Sequence, residues 1–163
     1  MSELATKRLR LTPVTAADTD FVMEMLNDPG WLANIGDRGV RTAEQARTYI
    51  AERFEGKAWW TVRDAATGEP LGLCGVVPTR PGMETPDLGY AFLARHSGKG
   101  YATEAAGAVL THARSALGHA KLAAITTLAN MPSQRVLEKL GFRRGEDRRL
   151  PDHEDDSAYF EIG

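Results

Sequence analysis

The chain has 163 residues, 42% of them hydrophobic and 26% charged, and its 20 basic and 22 acidic side chains give a formal net charge of −2. That length suffices for one domain with a sizeable core, and the balanced charge offers no basic surface for nucleic acid or an anionic membrane. No apolar run reaches the length of a membrane span, the start MSELATKRLRL lacks a signal peptide's apolar stretch, and the lone cysteine, Cys74, excludes an internal disulfide framework, so the expectation is a soluble cytoplasmic protein.

Leu9 and Leu11 alternate with Arg8, Arg10 and Thr12, which predicts a short strand ahead of Pro13. Thr15 is placed to cap a helix running to about residue 26, with Phe21, Val22, Met25 and Leu26 on one face and Asp28-Pro29-Gly30 as its stop. WLANIGDRGVRT reads as irregular. Thr42 and Gln45 form a capping box for a second helix to about residue 54. KAWWTVRD, the turn AATGEP and LGLCGVV make a hairpin. Trp59 and Trp60 are adjacent on its first strand and must face opposite sides. A proline-bearing loop then leads to the strand DLGYAFLA.

The best-defined helix follows Gly100, with Ala102, Ala105, Val109, Ala113 and Ala116 near helical spacing and Gly118 as its stop. LAAITTLA is a buried strand, and NMPSQRVLEKLGF is a short helix with a proline in its first turn and Gly141 as terminator. FRRGEDRRL, a turn around PDHEDD, and SAYFEIG close the chain as a second hairpin. The order β-α-α-β-β-β-α-β-α-β-β predicts one domain over residues 1–163 with a mixed α/β sheet of about seven strands and about four helices.

The stretch ARHSGKGYATEA joins strand to helix through Gly98, Lys99 and Gly100. Free amides at a helix start, aided by the helix dipole, favour an anion, and glycine lets the backbone approach it closely. Such a turn also occurs as a plain connection. The nucleotide P-loop pattern fails here, because glycine follows Lys99 and none stands five residues before Gly98. The dinucleotide fingerprint fails as well, with Thr103 in place of its third glycine.

Taken in order, the strand DLGYAFLA, the turn R-H-S-G-K-G, a helix, the strand LAAITTLA and then N-x-x-S-x-x-x-x-x-x-G-F resemble the GNAT superfamily of acyl-CoA N-acyltransferases. Arg95, Gly98 and Gly100 fit its pyrophosphate motif, and residues 130–142 fit its second motif. GYATEA and LEKLGF look most like the branch that acetylates ribosomal-protein N-termini. The resemblance implies a mostly antiparallel GNAT-like sheet whose central strands splay apart to admit acetyl-CoA. The histidines at 96, 112, 119 and 153 have no metal-ligand spacing, so no metal is expected. It implies that the backbone at Phe92, Leu93 and Ala94 binds the pantetheine arm. Arg95, Ser97, Gly98, Lys99, Gly100, Tyr101 and Ala102 would hold the pyrophosphate, with Asn130 and Ser133 beside the arm. An amide near Phe92 or Leu93 would support the oxyanion.

Many relatives carry a tyrosine acid four residues before the last glycine of the second motif; here that position is Leu137. Ser133 is the alternative proton donor to the departing thiolate, and it equally fits a place in a helix cap beside Asn130. Asp87 is the candidate general base, against a plain carboxylate at a strand start. Glu104, in a first helical turn, suits the dipole. The resemblance places the amine acceptor near Trp31, Asn34, Asp37 and Arg38. The acidic tip Asp152, Glu154, Asp155 and Asp156 either attracts a cationic amine or is simply solvated. The acceptor's identity is open between a peptide N-terminus and a small amine, and monomer and homodimer are both compatible with the sequence. A coenzyme-binding module without catalysis is the competing reading, with Leu137 as its best support.

Overall fold

The computed structural model describes residues 1–163. Eight strands form one sheet: β1 (Leu4–Ala5), β2 (Leu9–Pro13), β3 (Trp59–Asp64), β4 (Pro70–Val77), β5 (Asp87–Phe92), β6 (Leu122–Thr127), β7 (Arg143–Arg144) and β8 (Ser157–Ile162). They lie side by side as β1-β2-β3-β4-β5-β6-β8-β7. Every neighbouring pair is antiparallel except β5 and β6, which run parallel. The helices are α1 (Thr19–Leu26), α2 (Pro29–Asn34), α3 (Ala43–Arg53), α4 (Tyr101–Ser115) and α5 (Met131–Lys139). None is long and apolar enough to cross a membrane.

Two apolar layers enclose the sheet, as strand alternation requires. On one face Trp60, Leu122, Ala124 and Phe160 meet Ala105, Val109 and Ala113 of α4 and Leu137 of α5. On the other, Leu73 and Leu93 meet Val22, Met25 and Leu26 of α1 and Ala46 and Ile50 of α3. Trp59 and Trp60 divide between the layers, as adjacent strand residues must: Trp60 is fully buried in the first and Trp59 packs against the second.

The predicted order holds, with four local differences. Residues Leu4–Ala5 add a short edge strand. Asp28-Pro29-Gly30 does more than end α1: Asp28 accepts from the Gly30 amide at 3.1 Å and Pro29 opens α2, so part of the stretch read as irregular is helical. Thr15 caps a 3-10 turn at Ala16–Asp18, closed reciprocally by Asp18, and α1 starts only after it. The last hairpin is also shorter than FRRGEDRRL suggested. Beyond Arg144 the ladder thins to one bond from the Gly145 amide to Tyr159 O at 2.8 Å and the Arg148–Ser157 bridge, and Arg144 turns aside to Asp147 at 2.9 Å and to Gln134 at 3.0 Å.

The site depends on what happens between β5 and β6. Those strands share one pairing, Asp87 opposite Ala123, with the Ala123 amide donating to Pro86 O at 3.0 Å. Above it they part. β4 holds β5 through Phe92, while β8 holds β6 through Thr127, so each diverging strand stays anchored on its outer side.

Candidate active site at the parting of β5 and β6

In the β4–β5 ladder the Leu93 amide donates to Leu71 O at 3.1 Å, and the same register directs Ala91 and Gly89 to β4. Tyr90 and Phe92 therefore turn their main-chain groups the other way, into the opening, where β6 supplies no ladder partner. A ligand's amides could bond there as an added strand would. Of the three pantetheine positions expected from sequence, Phe92 meets the geometry. Leu93 does not: its amide is committed to Leu71 and its carbonyl accepts from His96 at 2.9 Å. The Ala94 amide is also engaged, donating to the Asp28 carboxylate at 3.1 and 3.2 Å.

Beyond β5 a 3-10 turn, Ala94–His96, leads into the glycine turn. Gly98 and Gly100 have φ of +76° and +80°, the left-handed region that disfavours a Cβ. Gly100 occupies the N-cap of α4 and offers no side chain to its amides. In consequence residues 98–103 form a run of backbone amides that donate to no group of the chain. Four of them, at residues 100–103, are ordinary orphans of a helix start; the other two belong to the turn. Ser97 lies just outside this run, its amide and its hydroxyl both donating to Ala94 O. The run of free amides thus begins one residue beyond Ser97. Arg95 reaches away from it to Glu24 on α1, at 2.8 Å, whereas Lys99 is exposed at the turn.

The cradle is braced from behind. Arg8 Nη1 donates to Lys99 O at 2.9 Å, and its Nε and backbone amide reach Glu104 at 2.7 and 2.9 Å. Thr6 donates to the same carboxylate. The Arg8 guanidinium lies 4.7 Å from the Tyr101 ring centre, and Tyr101 stacks at 6.5 Å on Phe92, linking turn to strand. Glu104 is therefore an anchor for the β1–β2 segment as well as a first-turn acid. Partial burial works against its ionisation, yet Thr6 and Arg8 together hold it below the usual carboxylate range. Glu104→Ala should destabilise the protein by about 1–3 kcal/mol at neutral pH. Because the native value is depressed, the difference from the parent should fade as pH falls through it, which denaturant melts at several pH values would register.

At the start of α5, Asn130 Oδ1 accepts from the Ser133 amide at 3.3 Å, so Asn130 caps the helix. Ser133 Oγ lies 2.9 Å from the Tyr90 hydroxyl, which also donates to Ser133 O at 3.1 Å. Burial pushes the Tyr90 phenol up to about 12, with the serine hydrogen bond acting in the opposite direction. Leu137 is buried in the core, so no acid is offered from that position. Cys74, also fully buried, has its thiol pushed up by burial and is no nucleophile.

Asp87, the candidate base, lies where β5 and β6 are still paired. It is 1% exposed, and both carboxylate oxygens are engaged by Arg80, at 2.6 Å from Nη2 and 3.1 Å from Nε. Burial raises its pKa and Arg80 opposes the rise. A carboxylate clamped by a guanidinium fork stabilises the apex where β5 and β6 part; it is poorly disposed to collect a proton from an amine.

The acceptor candidates are only partly brought together. Asn34, at the end of α2, accepts from Thr127 Oγ1 on β6 at 3.3 Å, spanning the mouth of the opening. Trp31 is instead buried among Met25, Leu26 and Val40, with its indole N–H unpartnered. Asp37 pairs with Arg41 at 2.6 Å, and Arg38 lines a groove with Glu44 and Tyr49, beside α3. The tip at 151–156 is exposed, with Asp156 paired to Arg149 at 3.2 Å. The sequence reading gave Tyr90, Arg80 and Arg8 no role at the site, and Asp28 only that of ending α1. Tyr90 alternates with Leu88 and Phe92 and so looks like core, and no local pattern pairs any of the four with its partner.

Comparison with known proteins agrees with this geometry. Residues 8–143 match the family model for the acetyltransferase (GNAT) domain. An uncharacterized Bacillus subtilis protein, YkkB, is 35% identical over 147 residues, which cover 86% of this chain and 84% of that protein. An acetyltransferase of the GNAT family from Bacillus anthracis superposes with a TM-score of 0.83 at 25% identity, covering 99% of this chain and 98% of the other. RimL, a ribosomal L7/L12 alpha-N-protein acetyltransferase solved in complex with coenzyme A, superposes with a TM-score of 0.83 at 14% identity over 99% and 97% of the two chains, a likeness of fold alone. On the family match and the YkkB identity, this chain belongs to the GNAT acetyltransferase family.

Proposed function

We propose that the chain moves an acetyl group from acetyl-CoA directly to a primary amine, with an α-amino group as the preferred acceptor. The observation that carries this reading is the run of six undonated amides at residues 98–103, set where β5 leaves β6. Such a run matches the diphosphate of coenzyme A, while the outward main chain of Tyr90 and Phe92 matches its pantetheine amides. The thioester would then lie in the opening near Ser133. An amide facing that opening, Phe92's by its register, supports the oxyanion formed when the amine adds to the thioester carbon. As the C–S bond breaks, the Ser133 hydroxyl gives a proton to the sulfur.

The preference for an α-amine follows from Asp87. With that carboxylate clamped, no strong base is on hand, and the acceptor must reach its neutral form largely unaided. An α-amine of pKa about 7.7–8 needs about 1 kcal/mol for this at pH 7, and a lysine near 10.4 needs about 4.6 kcal/mol. Proton loss through water suffices for the first.

Free thiol released from acetyl-CoA, measured over N-terminal dipeptides and small amines, tests the proposal. Dipeptides with a free α-amine should outpace α-blocked lysine peptides by about 200- to 400-fold in kcat/KM near neutral pH, the ratio of their neutral fractions. Coenzyme A at about 100 times its Kd should also stabilise the fold by about 2.7 kcal/mol. Stabilisation without turnover on any amine would favour the competing reading, a coenzyme-binding module that has dispensed with catalysis.

A further inference from the structure

The family's usual acid position, Leu137, faces the core, yet a phenol stands beside Ser133 by another route. Tyr90 belongs to β5 and Ser133 to the first turn of α5, 43 residues apart in sequence, and their hydroxyls meet at 2.9 Å, where either can donate. We infer that Tyr90 is a positioning residue for thiolate departure, holding Ser133 toward the sulfur and refilling its oxygen with a proton as the serine proton leaves. This relay rests on the transferase reading above.

Collapse of the tetrahedral adduct breaks the C–S bond and leaves its electron pair on sulfur. The Ser133 O–H bond breaks toward the sulfur, giving free thiol, and the Tyr90 O–H proton passes to Ser133 Oγ. The attacking nitrogen loses one proton as it becomes an amide, and that proton returns through solvent to the phenolate. An alkoxide is a far stronger base than a phenolate, so a serine acting alone would be left in a much costlier state. The phenol has a single proton: in the resting site it donates to Ser133 O at 3.1 Å, fixing Tyr90 against α5, and it turns to Ser133 Oγ, 2.9 Å away, as the serine proton leaves. With burial holding it protonated throughout the neutral range, the phenol is always loaded.

A merely structural Tyr90 would pin α5 to β5 and nothing more, so the test separates rate from binding. Tyr90→Phe, Ser133→Ala and the double variant are compared for coenzyme A Kd by titration and for kcat and KM by thiol release. Both single variants should keep the parent's Kd and KM. Ser133→Ala should lose about 100-fold in kcat, within the usual range for a general acid, and Tyr90→Phe at least about 10-fold. The double variant should be no slower than Ser133→Ala, because the two hydroxyls act as one unit. A second measurement needs no variant: the single-turnover rate of the parent in mixtures of light and heavy water should curve with deuterium content, as for two protons in flight. A full-rate Tyr90→Phe, multiplicative losses in the double variant, or a linear deuterium dependence would each overturn the relay while leaving the transferase intact. A parent protein that binds coenzyme A and turns over no amine would overturn the transferase reading, and the relay with it.

Discussion

Gly100→Val should weaken coenzyme A binding by about 100-fold or more while the protein still folds. The residue sits at φ +80°, where an L side chain is strained by about 1–2 kcal/mol and a β-branched one is at the upper end. Only Arg8 Nη2, 3.3 Å from an ideal Cβ, lies nearby, so the native packing itself does not forbid the change. The backbone has two responses, to keep its shape under strain or to flip out of the left-handed region. A flip re-aims the amides of the cradle, and hydrogen bonds to a charged group contribute about 1.5–3 kcal/mol each. Losing two removes about 3–6 kcal/mol of binding, which is the basis of the 100-fold figure. The melting temperature should fall by only about 2–8 °C, since nothing in the core changes. Titration with coenzyme A decides the matter: a folded variant with parental affinity would show that the turn is only a connection between β5 and α4.

The second large effect concerns stability. Arg80→Ala should cost about 3–5 kcal/mol at neutral pH, and more than Asp87→Asn costs. The asymmetry comes from exposure. Asp87 is 2% exposed in its side chain, so without Arg80 its charge stays buried and unpaired, whereas the Arg80 side chain, 32% exposed, can turn to water when Asp87 is neutral. The pH dependence carries the same signature. Burial raises the native Asp87 pKa above its ordinary 3.8, so the folded state binds protons more readily than the unfolded chain. Its contribution is therefore fully present below 3.8 and is lost as pH rises through the raised native value. Removing Arg80 takes away the influence that opposes this rise, so the deficit of Arg80→Ala should shrink on acidification. Combining it with Asp87→Asn should restore much of the lost stability, because no charge then remains buried. Denaturant melts of the three variants at neutral and acidic pH measure this, and a deficit equal at both would leave the account without support.

These two residues mark the boundary of what was legible beforehand. Gly100 was readable because its cause is local: a left-handed N-cap feeding an alanine-rich helix leaves a pattern within a few residues. The same holds for the Thr42–Gln45 box, for Asn130 capping α5, and for the division of Trp59 and Trp60 between the two layers. Arg80 lay in a loop whose prolines said only that it turns. Its importance arises because β5 must begin beside β6, placing Asp87 at an apex that water does not reach.

By itself, the sequence determined the order of elements, the family and the glycine turn ahead of α4, since periodicity, capping and glycine dihedrals act over a few bonds and survive in the linear pattern. Only the tertiary structure decided which amides remain free at the cradle, that Leu93 and Asp87 are already engaged, and that a phenol from β5 meets the serine of α5. Hydrogen-bond partners separated by tens of residues are chosen by packing and burial, and the strength of each bond depends on how much water the fold excludes around it.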